Sequence, residues 1–188
     1  ADDRVLDVTG VDVVTVNSGA TSANEGAILA GFTADVEFDV ADDVGDLKAV
    51  MGRDDAASYL TEANSITVDD GTGSQNVTAS DGAILAGFTA DVGFDVVDTA
   101  DNIALEVAGG SNSGDELDSV DADGVINTVF VSGGDVNTAE ADAIQSISGY
   151  DASGSNYEIT DDVDAVIGAG SSVIENVGVT RVEVTDDA

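Results

Sequence analysis

One phrase of this chain occurs twice, almost word for word. Residues 25–40 return as residues 81–96, altered only where Glu25 becomes Asp81 and Glu37 becomes Gly93. A period of 56 residues is the mark of a protein assembled from copies of one supersecondary unit. Such a chain buries its core by stacking neighbouring copies, and it works by shape and multiplicity more often than through one pocket.

A third copy keeps the order and loses the wording. Ala139-Glu140-Ala141-Asp142-Ala143-Ile144 matches the first half, and Asn156-Tyr157-Glu158-Ile159 matches the second. Phe38, Phe94 and Tyr157 then become equivalent, spaced by 56 and 63 residues. A short alternation precedes each copy at Val14-Thr15-Val16, Ile66-Thr67-Val68 and Val129-Phe130-Val131, and a fourth stands at Val182-Glu183-Val184. Alternation of β-branched residues predicts a strand. Turns are expected next, at residues 17–19, 69–71 and 132–134. Ser22 with Glu25, Thr78 with Asp81 and Asn137 with Glu140 have the spacing of a helix N-cap and its N3 partner. The helix that follows is short, with Gly31, Gly87 or Gly149 to stop it. A second strand carries Phe38, Phe94 or Tyr157 between acids, so one face is buried and one is wet. Asp42, Asp98 and Asp161 are then expected to cap a second helix. Residues 56–62 read as part of such a helix, and residues 109–114 as a loop.

This succession favours parallel strands joined by helical crossovers. The expected fold is a β-rich β/α repeat solenoid with parallel strands and short helices. The alternative is a tandem of small β-sandwich or α+β domains. The lead-in is residues 1–10, the repeats are residues 11–63, 64–125 and 126–179, and residues 180–188 begin a further unit or form an exchanged strand.

Charge narrows the partners. Thirty-nine acids face four Lys and Arg, for a net charge of −35. Nucleic acid and anionic membrane surfaces are polyanions and are excluded as partners. Self-repulsion of this size calls for high ionic strength or bound divalent cations. The chain has no His and no Cys, which removes the usual base near neutral pH, thiol nucleophiles and disulfides. It has no Pro to interrupt a ladder and no apolar run of membrane-spanning length. It opens on Ala1 with no signal peptide, read here as the mature form of an exported protein.

Oxygen-rich turns suit Ca²⁺, the expected cofactor. The candidate ligands are Asp115, Asp118, Asp121 and Asp123 beside Glu116; Asp69 and Asp70; and Asp161, Asp162 and Asp164. Asp42, Asp43 and Asp46 form a further cluster. Residues 118–124 resemble part of an EF-hand loop, but Ser119 falls where the first Asp belongs and Phe130 where the Glu belongs. The alternative reading of each cluster is a solvated turn or helix cap. The aromatic positions Phe32, Phe88, Tyr150, Phe38, Phe94 and Tyr157 read as a core column, with sugar stacking as the rival.

Phe94-Asp95-Val96-Val97-Asp98-Thr99-Ala100-Asp101-Asn102-Ile103 resembles a motif of very long bacterial surface proteins. Tyr157-Glu158-Ile159-Thr160-Asp161 and Val182-Glu183-Val184-Thr185-Asp186 are similar to its strand ends. The match departs at Asp43 and Asp162, where the motif has Thr. The resemblance implies an exported, acidic, calcium-associated adhesin or surface-layer component. The expected role is therefore extracellular and structural: not an enzyme, but repeats that stack head-to-tail on copies of themselves into a filament, surface layer or stalk. The alternatives are an adhesive module with a glycan ligand, and a viral or phage fibre or decoration protein.

Overall fold

The computed structural model describes residues 13–16, 19–30, 35–51, 63–71, 75–86, 92–108, 117 and 126–185. Nine strands and seven helices are found among them. The first is β1 (Val13–Thr15), followed by α1 (Ala23–Leu29), β2 (Asp35–Glu37), β3 (Asp39–Asp42) and α2 (Val44–Met51). The middle contains β4 (Ser65–Val68), β5 (Asn76–Val77), α3 (Ala79–Ala86), β6 (Val92–Asp98) and α4 (Ala100–Val107). The last part is β7 (Ile126–Val136), α5 (Thr138–Ser146), β8 (Asn156–Asp162), α6 (Val163–Ala169), α7 (Ser171–Ile174) and β9 (Val179–Thr185).

The fold is α/β, built on a parallel sheet. Strand order in the main sheet is β3-β4-β6-β7-β8-β9, with β5 beside β6. It is therefore the order of the chain itself. Every paired strand among the described residues is parallel. β1 pairs with β2, and Phe38 alone separates β2 from β3. Thr21 continues the β1 side, donating to Asp39 O at 2.7 Å and accepting from Ala41 N at 2.8 Å. Parallel neighbours need a crossover, and a helix lies between most successive strands. No antiparallel pair of the kind a β-sandwich needs is present among the described residues.

One sheet face holds the core. Val40, Ile66, Val68, Val92, Val96, Val129, Val131 and Ile159 alternate inward, and Phe38, Phe94 and Tyr157 fill equivalent places beside them. Removing one such aromatic ring from water stabilises the fold by about 1.5–3 kcal/mol. The helices lie on this face and touch in sequence, each against the next. Gly26 and Gly82 let α1 and α3 come close. A Cβ on Gly26 would sit 2.8 Å from Val40 Cγ2, and one on Gly82 would sit 3.1 Å from the Phe94 ring. The third copy has Ala141 at this place, fully buried.

Two expectations are corrected. Residues 132–134 are not a turn after a strand; they lie inside β7. Gly133 and Gly134 have φ of 88° and 99°, and the register against β8 shifts between Ser132 and Asp135. This is a bulge: β7 makes the excursion while β8 runs on beside it. β4 and β5 both pair with β6, at Val92–Gly93 and Asp95–Val96. The second correction concerns Asp42, Asp98 and Asp161 and is given below. Residues 56–62 and 109–114, with Gly31, Gly87, Phe32 and Phe88, lie outside the described residues.

Candidate functional site

The chemistry of this protein is concentrated at strand–helix junctions. Ser22 and Glu25 form a full capping box, as do Asn137 and Glu140. Asp81 N donates to Thr78 Oγ1 at 3.2 Å, but Asp81 has the shorter side chain. Its carboxylate instead takes Thr78 Oγ1 at 2.9 Å and Lys48 Nζ at 2.5 Å. Burial acts to raise the Asp81 pKa; the hydrogen bonds from Lys48 and Thr78 outweigh it and hold the carboxyl below the usual range. The sole lysine thus joins α2 to α3.

Asp42, Asp98 and Asp161 do not cap the helix after them. That role belongs to Asp43, Thr99 and Asp162, whose side chains accept from the backbone N–H of Asp46, Asn102 and Ala165. Two of these are the positions where the surface-protein motif is broken, and there Asp does the work of Thr. The preceding Asp reaches back to the previous helix instead. Asp42 Oδ2 accepts from Ala23 N at 2.9 Å, Asp98 Oδ2 from Ala79 N at 3.0 Å, and Asp161 Oδ2 from Thr138 N at 3.0 Å. Each second oxygen accepts from the next residue's N–H, in Asp43, Thr99 and Asp162. One carboxylate therefore ties the start of one helix to the end of the next long strand, three times over. At Asp161 the Thr138 backbone and hydroxyl donors, then the Asp162 N–H, hold the pKa below the ordinary value.

The proposed ligand residues fall as follows. Asp161 and Asp162 serve as this tie and this cap, and Asp164 lies in the first turn of α6. Asp69 Oδ1 accepts from Gly71 N at 2.9 Å in an exposed turn, and Asp70 is exposed beside it. Asp115, Asp118, Asp121 and Asp123, with Glu116, lie outside the described residues. Asp42, Asp43 and Asp46 bring one oxygen each within 4.8 Å of one another. In the second copy Asn102 replaces Asp46 and donates its amide to Asp98 Oδ1 at 2.8 Å. The third copy has Ala165 there.

The outward sheet face is polar. Ser65 Oγ donates to Asp39 at 2.7 Å, Thr160 Oγ1 to Asp135 at 3.0 Å, and Arg181 to Glu158 at 3.0 Å. Arg181 also pairs with Glu183. Hydroxyls and one guanidinium thus occupy carboxylates that would otherwise face each other across the ladder.

The aromatic column is core. Phe38, Phe94 and Tyr157 are buried, and Tyr150 is half-buried with its hydroxyl donating to Asn176 Oδ1 at 3.0 Å. Burial pushes the Tyr150 phenol well up. Sequence reasoning missed one pair. The Tyr157 hydroxyl accepts from Gln145 Nε2 at 2.7 Å, and Gln145 also donates to Val173 O at 3.1 Å. Ala30 and Ala86 hold that helix position where the aromatic is Phe. The signal was the joint change of Ala to Gln and Phe to Tyr between copies. A groove of about 400 Å³ between α5 and the α6–α7 pair is lined largely by Ala139, Ala165, Gly168 and Ala169. Among the described residues no helix is long and apolar enough to cross a membrane. Compared with known proteins, the chain matches no family model, no curated protein and no solved structure.

Proposed function

We propose that this chain is a structural repeat protein of an extracellular filament, surface layer or stalk, its coils stacked as a solenoid. The observation that carries this reading is the strand order, which follows the chain with every pair parallel. A stack in which each coil meets only its neighbours gives that order. The recurring ties at Asp42, Asp98 and Asp161 support it, since each fastens a helix to a later strand of the same repeat and none converges on a reaction centre. We read the protein as non-enzymatic on the same ground. The resemblance to acidic surface proteins supports an exterior location. A net charge of −35 makes cations part of the working environment, with Ca²⁺ the fitting divalent ion.

The test is an added unit. Duplicating residues 23–78 in place repeats α1, β2 with β3, α2, and β4 with β5, which adds two helices and two levels of the sheet with a seamless joint, because Ala79 is the counterpart of Ala23. The rod should lengthen by two strand spacings, about 9.6 Å, in small-angle scattering, with unchanged secondary-structure content per residue. An insertion that unfolds the protein, or leaves its long dimension as before, would sink the reading.

A further inference from the structure

One tripeptide carries a chemistry that the stack does not use. Asn76-Val77-Thr78 is the single Asn-x-Ser/Thr sequence in a chain with ten asparagines. Asn two residues before a hydroxyl is the acceptor signal for an N-linked glycan. The spacing has a physical basis. In extended backbone, residues i and i+2 point to the same side, so amide and hydroxyl can be read together. The fold accounts for two of the three residues. Val77 is 5% exposed and pairs with Val96 in the core, where the other copies have Thr21 and Val136, also buried. Thr78 Oγ1 accepts from Asp81 N and begins α3, as Ser22 and Asn137 begin α1 and α5. Asn76 differs. Ala20 and Asp135 hold its place in the other copies, and all three positions are exposed. The core therefore makes no demand on this side chain. Its register partner is Asp95, which puts it on the outward polar face of the sheet.

We propose that Asn76 is a glycan attachment site, its side-chain amide carrying an N-linked sugar on the outward face of the sheet. The inference rests on the extracellular reading, since this transfer is made on chains that leave the cytoplasm. The donor is a lipid-linked oligosaccharide. The Asn76 amide nitrogen bonds to the anomeric carbon of the first sugar and gives up one proton. The bond from that carbon to the lipid pyrophosphate breaks, and the pyrophosphate leaves with the electron pair. No oxidant or reductant takes part. The finished fold can carry the product. A glycan is bulky and needs a surface position. The helices pack on the other face of the sheet, so a sugar on Asn76 extends away from them. Val77 stays buried, and Thr78 keeps its bond from Asp81 N, because the transfer consumes neither. An uncharged, hydrated cover adds nothing to the net charge of −35.

Secretion of the whole chain from a eukaryotic host that makes lipid-linked oligosaccharide tests this, read by intact mass and peptide mapping. The wild type should carry one glycan, at Asn76, and peptide N-glycosidase should release it and leave Asp in its place. Asn76→Asp, which copies Asp135 of the third repeat, should fold and be secreted bare. Thr78→Asp should also be bare, because it keeps a carboxylate cap of the Asp162 kind and lacks the hydroxyl. The glycan-bearing and released forms should melt together. A folded, secreted wild type with bare Asn76 overturns the proposal. So does a glycan-bearing form that melts well below the released one, since the fold would then not accommodate the sugar. The 23–78 duplication contains the tripeptide twice and should carry two glycans. Bare asparagines in a duplication that lengthens remove the glycan and leave the structural reading in place. A duplication that does not lengthen removes that reading itself.

Discussion

The Asp161 carboxylate accepts the Thr138 peptide N–H at 3.0 Å and the Thr138 hydroxyl at 2.8 Å, fastening β8 to the helix before it. The first N–H groups of a helix have no partner within it. At α1, α3 and α5 an acid from the next long strand supplies one. Most capping is local; here one of the caps is also a tertiary contact between a helix and a later strand.

Removing such a tie should loosen the junction without emptying the core. Asp98→Ala leaves Ala79 N and Thr99 N without their acceptor. A loss of about 1–2 kcal/mol is expected in urea unfolding, as for a deleted N-cap. Asp98→Asn should recover part of it, because an amide oxygen can serve one of the two N–H groups while its NH₂ faces the other.

The tie at Asp161 sets a pH dependence. Its folded pKa lies below the ordinary aspartate value of about 3.9. A depressed acid contributes stability in full above its unfolded pKa and loses it as pH falls through the folded one. The melting-temperature gap between wild type and Asp161→Asn should therefore be widest near neutral pH and close as pH drops below about 4. A gap that stays constant to pH 2 would show that the carboxylate charge is not what matters.

The Gln145–Tyr157 pair should behave as a unit. Tyr157→Phe strips a 2.7 Å acceptor from a half-buried amide and is expected to cost about 1 kcal/mol. Adding Gln145→Ala recreates the Ala and Phe combination of the first two copies. A double-mutant cycle should return a coupling of the same order; additive effects would mean that the hydroxyl and amide are independent.

Two glycines should respond in opposite directions to alanine. Gly134 has φ of 99°, and a Cβ there would lie 2.8 Å from Ala100 N. Left-handed strain and the backbone clash together predict a loss of roughly 2–4 kcal/mol for Gly134→Ala. Gly168 lies in α6 with open space around it, and Gly168→Ala should stabilise by about 0.5–1 kcal/mol. Thermal melts of the two variants check both signs.

The Lys48–Asp81 bridge is partly open to water, with side chains 35% and 23% exposed. Lys48→Met should cost under about 1 kcal/mol at low salt and less in molar NaCl. Because Lys48 helps to hold the Asp81 pKa down, that pKa should rise in the variant, as carbon-detected NMR titration can show.

The parts of this fold that were legible in the chain are those fixed by short spacings. Ser22 with Glu25 and Asn137 with Glu140 stand three residues apart, the distance a capping box spans. Phe38, Phe94 and Tyr157 fall on the buried side of alternating strands, and the strand–helix succession calls for parallel pairing. These are consequences of backbone geometry within a few residues. The role of Asp42, Asp98 and Asp161 was not legible. Each lies one residue before a real N-cap, and its partner is 19 or 23 residues upstream. Only the register of one strand against another decides which N–H it meets. The same holds for Gly134 against Ala100 and for Gln145 against Tyr157. The sequence by itself determined the repeated unit, its caps and its core positions. The tertiary structure decided what each side chain fastens to, because that depends on which strand or helix lies beside it in the sheet and its helical layer.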